Sequence, residues 1–182
     1  MSDKDLITTW PNLAKRWVLV AGTGRRSGLP SSICILAEEL GRSLAQHQYG
    51  LVLGGWPGVD HIAARSFAAT LQRGQALSDH LVQVVTPHRP ARYPDGAKYP
   101  DFEYGYRSTA PTGAHARLQA PKFSDAVILL GGEGATLETF HHAVQGAGAA
   151  SYVPCPDHRR QCGSGISRMH REVGHDAVRR HP

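Results

Sequence analysis

The stretch D-A-V-I-L-L-G-G-E-G-A-T-L-E, from Asp125 to Glu138, decides the fold. Ala126 to Leu130 is a short, unbroken apolar run, the pattern of a strand covered on both faces. Gly131 and Gly132 stop it. From Ala135 to Gln145 the apolar residues return at helical spacing, so the segment reads as strand, glycine turn, helix.

The same unit recurs upstream. Trp17 to Ala21 is an apolar run ending at Gly22. Pro30-Ser31-Ser32 then offers a helix start, with Ile33, Leu36, Ala37, Leu40, Leu44 and Ala45 on one face. Gly50 to Leu53 is a second buried strand, stopped by Gly54-Gly55. Asp60 is suited to cap a second helix carrying Ile62, Ala63, Phe67 and Leu71. Leu81 to Val85 is a third strand and Ala126 to Leu130 a fourth. Ala114 to Lys122 reads as a helix closed near Pro121, and Tyr152-Val153 as the start of a fifth strand. Residues 86–111 contain five prolines and little periodicity, and read as a long surface excursion. Strands alternating with helices predict right-handed βαβ units. The expected fold is α/β, a Rossmann-like three-layer α/β/α arrangement with a mainly parallel sheet.

Of the 182 residues, 41% are hydrophobic and 19% charged, ordinary for a globular protein. No apolar run approaches the ~20 residues of a membrane span, and the first residues lack an apolar signal core. A soluble cytoplasmic protein is the expectation. The formal charge of +5 is concentrated in residues 151–182, where six arginines face only Asp157, Glu172 and Asp176. A nucleic-acid footprint would be a basic stripe on the body with interleaved aromatics, so the distribution argues against nucleic acid as a partner. Residues 1–154 read as the nucleotide-binding domain and 155–182 as a basic, weakly ordered tail. The three cysteines form no disulfide framework. Cys34 falls in the apolar pattern of the first helix and is expected as a small core residue. Cys155, His158, Cys162 and His170 match no zinc-site spacing, so no metal is expected.

The glycine turns carry the chemistry. Gly22-Thr23-Gly24, Gly54-Gly55-Trp56-Pro57-Gly58 and Gly131-Gly132-Glu133-Gly134 each follow a strand. Ligands of open α/β sheets bind beyond the carboxyl ends of the strands. Glycine lets the backbone approach a ligand closely, and the next helix offers N–H groups to an anion. Neither GxGxxG nor GxxxxGK[ST] is present. Thr23 and Ser27 are hydroxyl donors, and Arg25 follows the first turn. Trp56 suits either stacking on a base or covering the sheet end. Glu133 puts a negative charge within the third turn, which favours a ligand with few free phosphates. Glu138 lies about one turn into the last helix, where it suits ribose hydroxyls, and Arg117 suits a phosphate or Glu138 itself.

Val18 to Gly22, the helix at 31–47 and Leu51 to Gly55 with Gly58 together resemble the SLOG superfamily. That group includes the LOG (lysine-decarboxylase-like) phosphoribohydrolases, DprA-like proteins and sensor domains of bacterial immune systems. Asp125 to Glu138 is similar to the LOG pattern of an acidic-capped strand followed by PGGxGTxxE. Leu130 stands where that pattern has proline, and Ala135 where it has threonine, with Thr136 adjacent. The resemblance covers roughly residues 16–154. It implies ligand contacts at Gly22, Thr23, Gly24, Arg25, Ser27, Gly54, Gly55, Trp56, Gly58, Arg117, Gly131, Gly132, Glu133, Gly134, Ala135, Thr136 and Glu138. The weakened LOG motif favours a sensor or binding module for a nucleotide or an NAD- or ADP-ribose-derived ligand, with no cofactor required. The alternative is a LOG-like phosphoribohydrolase that releases a base from a nucleoside 5'-monophosphate, with Glu138 and Arg117 catalytic. Relatives are often dimers, so the resemblance also implies a homo-oligomer.

Overall fold

In the computed structural model the described residues are 14, 16–24, 28–87, 105–145 and 149–153. They form β1 (Trp17–Gly22), α1 (Ser31–Gln46), β2 (Gly50–Leu53), α2 (Val59–Thr70), a 3-10 turn (Leu77–Asp79) and β3 (Leu81–Val85). Then follow β4 (Tyr106–Thr109), α3 (Gly113–Lys122), β5 (Ala126–Leu130), α4 (Ala135–Gln145) and β6 (Ala149–Val153). All six strands are parallel, in the order β4-β3-β2-β1-β5-β6. This is the expected Rossmann-like α/β fold.

The apolar runs are explained by two-sided burial, since successive side chains alternate across the sheet. Val18, Val20, Leu51, Leu53 and Leu81 face α1 and α2, meeting Ile33, Ala37 and Phe67. Trp17, Leu19, Val52, Val82, Val84, Val127 and Leu129 face the other way, with Ala120 of α3 and Ala143 of α4. Asp125 starts β5 by accepting the Trp17 N–H on Oδ2 at 2.8 Å, while its own N–H donates to the Trp17 carbonyl at 2.8 Å. An acidic residue ahead of the apolar run thus extends the β1–β5 pairing by one step.

Helices α1 and α2 cross closely at Gly41. A Cβ there would overlap the Ala63 carbonyl and lie 3.1 Å from the Phe67 nitrogen. Both obstacles are backbone and cannot rotate away. Gly41→Val is therefore expected to force the helices apart and cost roughly 1–3 kcal/mol, read as a lowered midpoint in urea denaturation.

Four readings change. Tyr106–Thr109, inside the expected 86–111 excursion, is a strand paired with β3. Its sequence, YRST, is polar and mostly exposed because it lies at the sheet edge, so it lacks the apolar signature of a central strand. Residues 88–104 of that excursion and 155–182 of the tail lie outside the described residues. Strand β6 begins at Ala149, ahead of the expected Tyr152. Gly58, rather than Asp60, is the N-cap of α2; Asp60 lies within the first turn. Cys34 is half-buried and not in the core, because it sits beside Ile33 on the flank of α1.

Candidate functional site

The turns after β2, β1 and β5 stand side by side, because these three strands are neighbours in the sheet. The middle turn is tied to both others. Thr136 Oγ1 of α4 donates to the Gly22 carbonyl at 3.2 Å, and the Thr23 N–H to the Leu130 carbonyl at 3.4 Å. From the β2 side, the Gly58 and Val59 N–H groups donate to the carbonyls of Gly24 and Thr23, at 3.0 and 3.1 Å. The start of α2 thus spends its donors on the β1 turn and does not present them to an anion. Gly58 is buried and braces the site from behind.

The β5 turn is built differently. Gly131, Gly132 and Gly134 all have positive φ, the region where a side chain is strained. Glu133 accepts the Thr136 N–H through its carbonyl, and Gly134 that of Glu138. The N–H groups of Gly132, Gly134 and Ala135 donate to no acceptor among the described residues. This turn, at the start of α4, is the one that keeps donors for a ligand.

Between the turns and α3 lies a cavity of about 540 Å³, within the usual range of small-molecule sites. Its floor is apolar: Leu19, Ala21 and Val84 from the sheet, with Ala116 and Ala120 from α3. These alanines and Gly113 lie on the sheet-facing side of α3 and leave the space open. Gly22, Thr23 and Gly24 form the centre of the rim. Gly54, Trp56 and Asp60 form one end, and Gly132, Glu133, Ala135 and Thr136 the other. The Trp56 ring lies against Gly54 and Gly24 while also lining the cavity, so it covers the sheet end and walls the site at once.

Arg117 lines the cavity from α3. Its Nε sits 2.7 Å from Glu138 Oε2 of α4, with the side chains 31% and 56% exposed. The Nε–H has no aligned acceptor, so the pair is a charge contact and not a directed hydrogen bond. At that exposure it adds little to stability. It does join the two residues that the SLOG resemblance pairs at the site. Glu138 is exposed and touches the site through Arg117. Gly55 and Gly131 are buried behind the lining, Gly134 is exposed beside it, and Arg25 and Ser27 lie outside the described residues.

Several lining residues escaped the sequence reading. Asp60 is 2% exposed, and its Oδ2 accepts the Trp56 N–H at 3.3 Å. Its position two residues after Gly58, in a glycine turn, was the available signal. Gly113, Ala116, Ala120, Thr86 and Thr139 carried none, since small residues become site residues only by where the fold places them around the cavity.

No protein-family model matches the chain, and no curated protein does. Solved structures do. The molybdenum cofactor carrier protein of Chlamydomonas reinhardtii is 19% identical, with 79% of each chain covered and a TM-score of 0.58. The molybdenum cofactor binding protein of Rippkaea orientalis is 15% identical over 89% of this chain and 85% of that one, at 0.60. DNA processing protein A of Helicobacter pylori, solved for its single-stranded DNA binding mode, is 16% identical over 95% and 77%, at 0.57. At these identities the likeness establishes the fold, and it is the fold the SLOG resemblance implies. Among the described residues, no helix is long and apolar enough to cross a membrane.

Proposed function

We propose that this chain is a ligand-binding module for a nucleotide or an NAD- or ADP-ribose-derived molecule, held at the carboxyl ends of β1, β2 and β5. The observation that carries the reading is the cavity itself. It joins the open donors of the Gly131–Gly134 turn, the Arg117 guanidinium and the Trp56 ring around one apolar floor. Phosphate is matched by backbone N–H groups and a guanidinium, and a flat base by an aromatic wall and small side chains. Solved relatives named for molybdenum cofactor place that cofactor in the test panel. No group of three metal-ligating side chains occurs among the described residues. Arg117 and the Gly131–Gly134 turn would therefore hold such a cofactor by its anionic part.

The test is thermal-shift and calorimetric titration against AMP, ADP-ribose, NAD and molybdenum cofactor. One ligand of this class is expected to stabilise the chain, and Arg117→Ala to weaken its binding by about tenfold or more, as loss of a charge-assisted hydrogen bond requires. Arg117 is partly exposed, so the variant should keep the parent melting temperature to within a few degrees. Failure of the whole panel to bind would sink the reading. Native mass spectrometry of the same samples reports whether the chain forms the homo-oligomer implied by the resemblance.

The contact between Arg117 and Glu138 supports a second reading, the phosphoribohydrolase. There Glu138 would orient water or stabilise an oxocarbenium-like centre at the ribose. Free base released from AMP, and lost in Glu138→Gln, would favour the enzyme; binding without turnover favours the module.

A further inference from the structure

The sheet is covered unevenly. On the side of α3 and α4, Val127 and Leu129 of β5 are buried, and α4 packs on both β5 and β6. On the side of α1 and α2, Ala126 and Ile128 of the same strand are only half-buried. Yet β5 is an internal strand, with β1 and β6 on either side. Val18, Val20, Leu51, Leu53 and Leu81, on that face of the other strands, are all buried. Strand β6 pairs with β5 over its whole length and extends the open face. Among the described residues no helix of the α1–α2 layer packs closely on β6.

Helix α1 borders this opening. Its Gly41 faces α2. Leu40 and Leu36 lie roughly 100° and 140° round the helix from Gly41, in the same sense. That is the flank away from α2, on the side where α1 reaches β5. Leu36 is exposed, and Leu40 is half-buried against the shared core. A parallel sheet needs both faces covered, and an apolar surface left open in this way marks a contact site.

We propose that the segment following β6 covers this face, as a helix over residues 166–177 laid on β5 and β6 beside α1. The sequence carries the matching pattern. Ile166, Met169, Val173 and Ala177 recur at spacings of three, four and four, which is one helical face. Arg168, Arg171 and Glu172 fall on the opposite face, toward water. A helix of that length spans about 18 Å, and a five-residue strand about 17 Å. Residues 154–165 supply the connection that turns the chain back from the end of β6. A segment tethered at the edge of the face meets it at an effective concentration in the millimolar range, above that of a second copy in dilute solution.

The test is hydrogen–deuterium exchange of the full chain, read by mass spectrometry, with light scattering of the same samples. Amides of 166–177 are expected to exchange at least about tenfold slower than in a free peptide of that sequence. Ile128→Asp puts a charge on the covered face, and Met169→Asp puts one on the segment that covers it. Each should return 166–177 to the peptide rate and leave the oligomeric state as in the parent. Met169→Asp should also raise binding of the dye 1-anilinonaphthalene-8-sulfonate, because it uncovers Leu36 and Ile128. It lies outside the described core, so it carries the test if Ile128→Asp folds poorly. Peptide-like exchange of 166–177 in the parent would overturn the proposal. So would protection that survives either charge in a folded chain, since the segment would then dock elsewhere. An oligomer that Ile128→Asp dissociates, with 166–177 exchanging freely throughout, would give the face to a second copy and overturn it as well.

Discussion

Gly132→Ala is expected to fold and to lose ligand affinity by about a hundredfold or more. Gly132 has φ +94°, where an alanine is strained by roughly 1–3 kcal/mol. Its new Cβ would also lie 2.5 Å from Thr136 Oγ1 and 2.8 Å from Thr136 Cβ and Cγ2. Thr136 cannot simply turn aside, because its hydroxyl anchors the Gly22 carbonyl at 3.2 Å. Relief must displace either the β5 turn or the β1 turn, and both line the cavity. Gly74→Ala is the control. Gly74 has φ +92° with nothing within 4 Å of an added Cβ, and it lies in the connection after α2, away from the cavity. It should cost the φ strain alone, roughly 1–3 kcal/mol, and leave affinity unchanged. Equal binding by Gly132→Ala and the parent, measured by calorimetry, would contradict a ligand seated on the β5 turn.

Phe67→Ala carries the largest expected loss of stability, about 3–5 kcal/mol. Phe67 is fully buried on α2, among the core residues that α1, α2 and the sheet share. The neighbouring helix has its closest approach here, at Gly41, and the strands beneath are fixed by their ladders. The surroundings therefore cannot collapse into the vacated space, which places the cost toward the upper part of that range. For a domain of this size such a loss lowers the melting temperature by roughly 10 °C or more. A fall of only one or two degrees in calorimetric melting would mean the α1–α2 layer is looser than its packing implies.

The two predictions mark how differently the fold and the site are written in the chain. Val18 to Val20, Leu51 to Leu53, Leu81 to Val85 and Val127 to Leu130 announce themselves because a strand covered on both faces is apolar at nearly every position, the buried Gln83 being the exception. Tyr106–Thr109 does not, since an edge strand covered on few sides keeps polar residues. The glycine turns were legible for a related reason: Gly131, Gly132 and Gly134 adopt positive φ, which few other residues tolerate. Arg117 and Glu138 were paired on resemblance, and the contact at 2.7 Å brings them together.

The cavity was not legible. Ala116 and Ala120 look like any helical alanines, and Asp60 like a helix cap, until α3 and the sheet are laid face to face. The order of short-range patterns along the chain determined that this protein is a parallel α/β sheet with glycine turns at its strand ends. That follows because burial and backbone conformation act residue by residue. Only the tertiary structure decided that three turns share one rim, that small side chains hollow its floor, and that a buried carboxylate stands opposite an arginine. Those are properties of distances between segments remote in the chain, which no local pattern encodes.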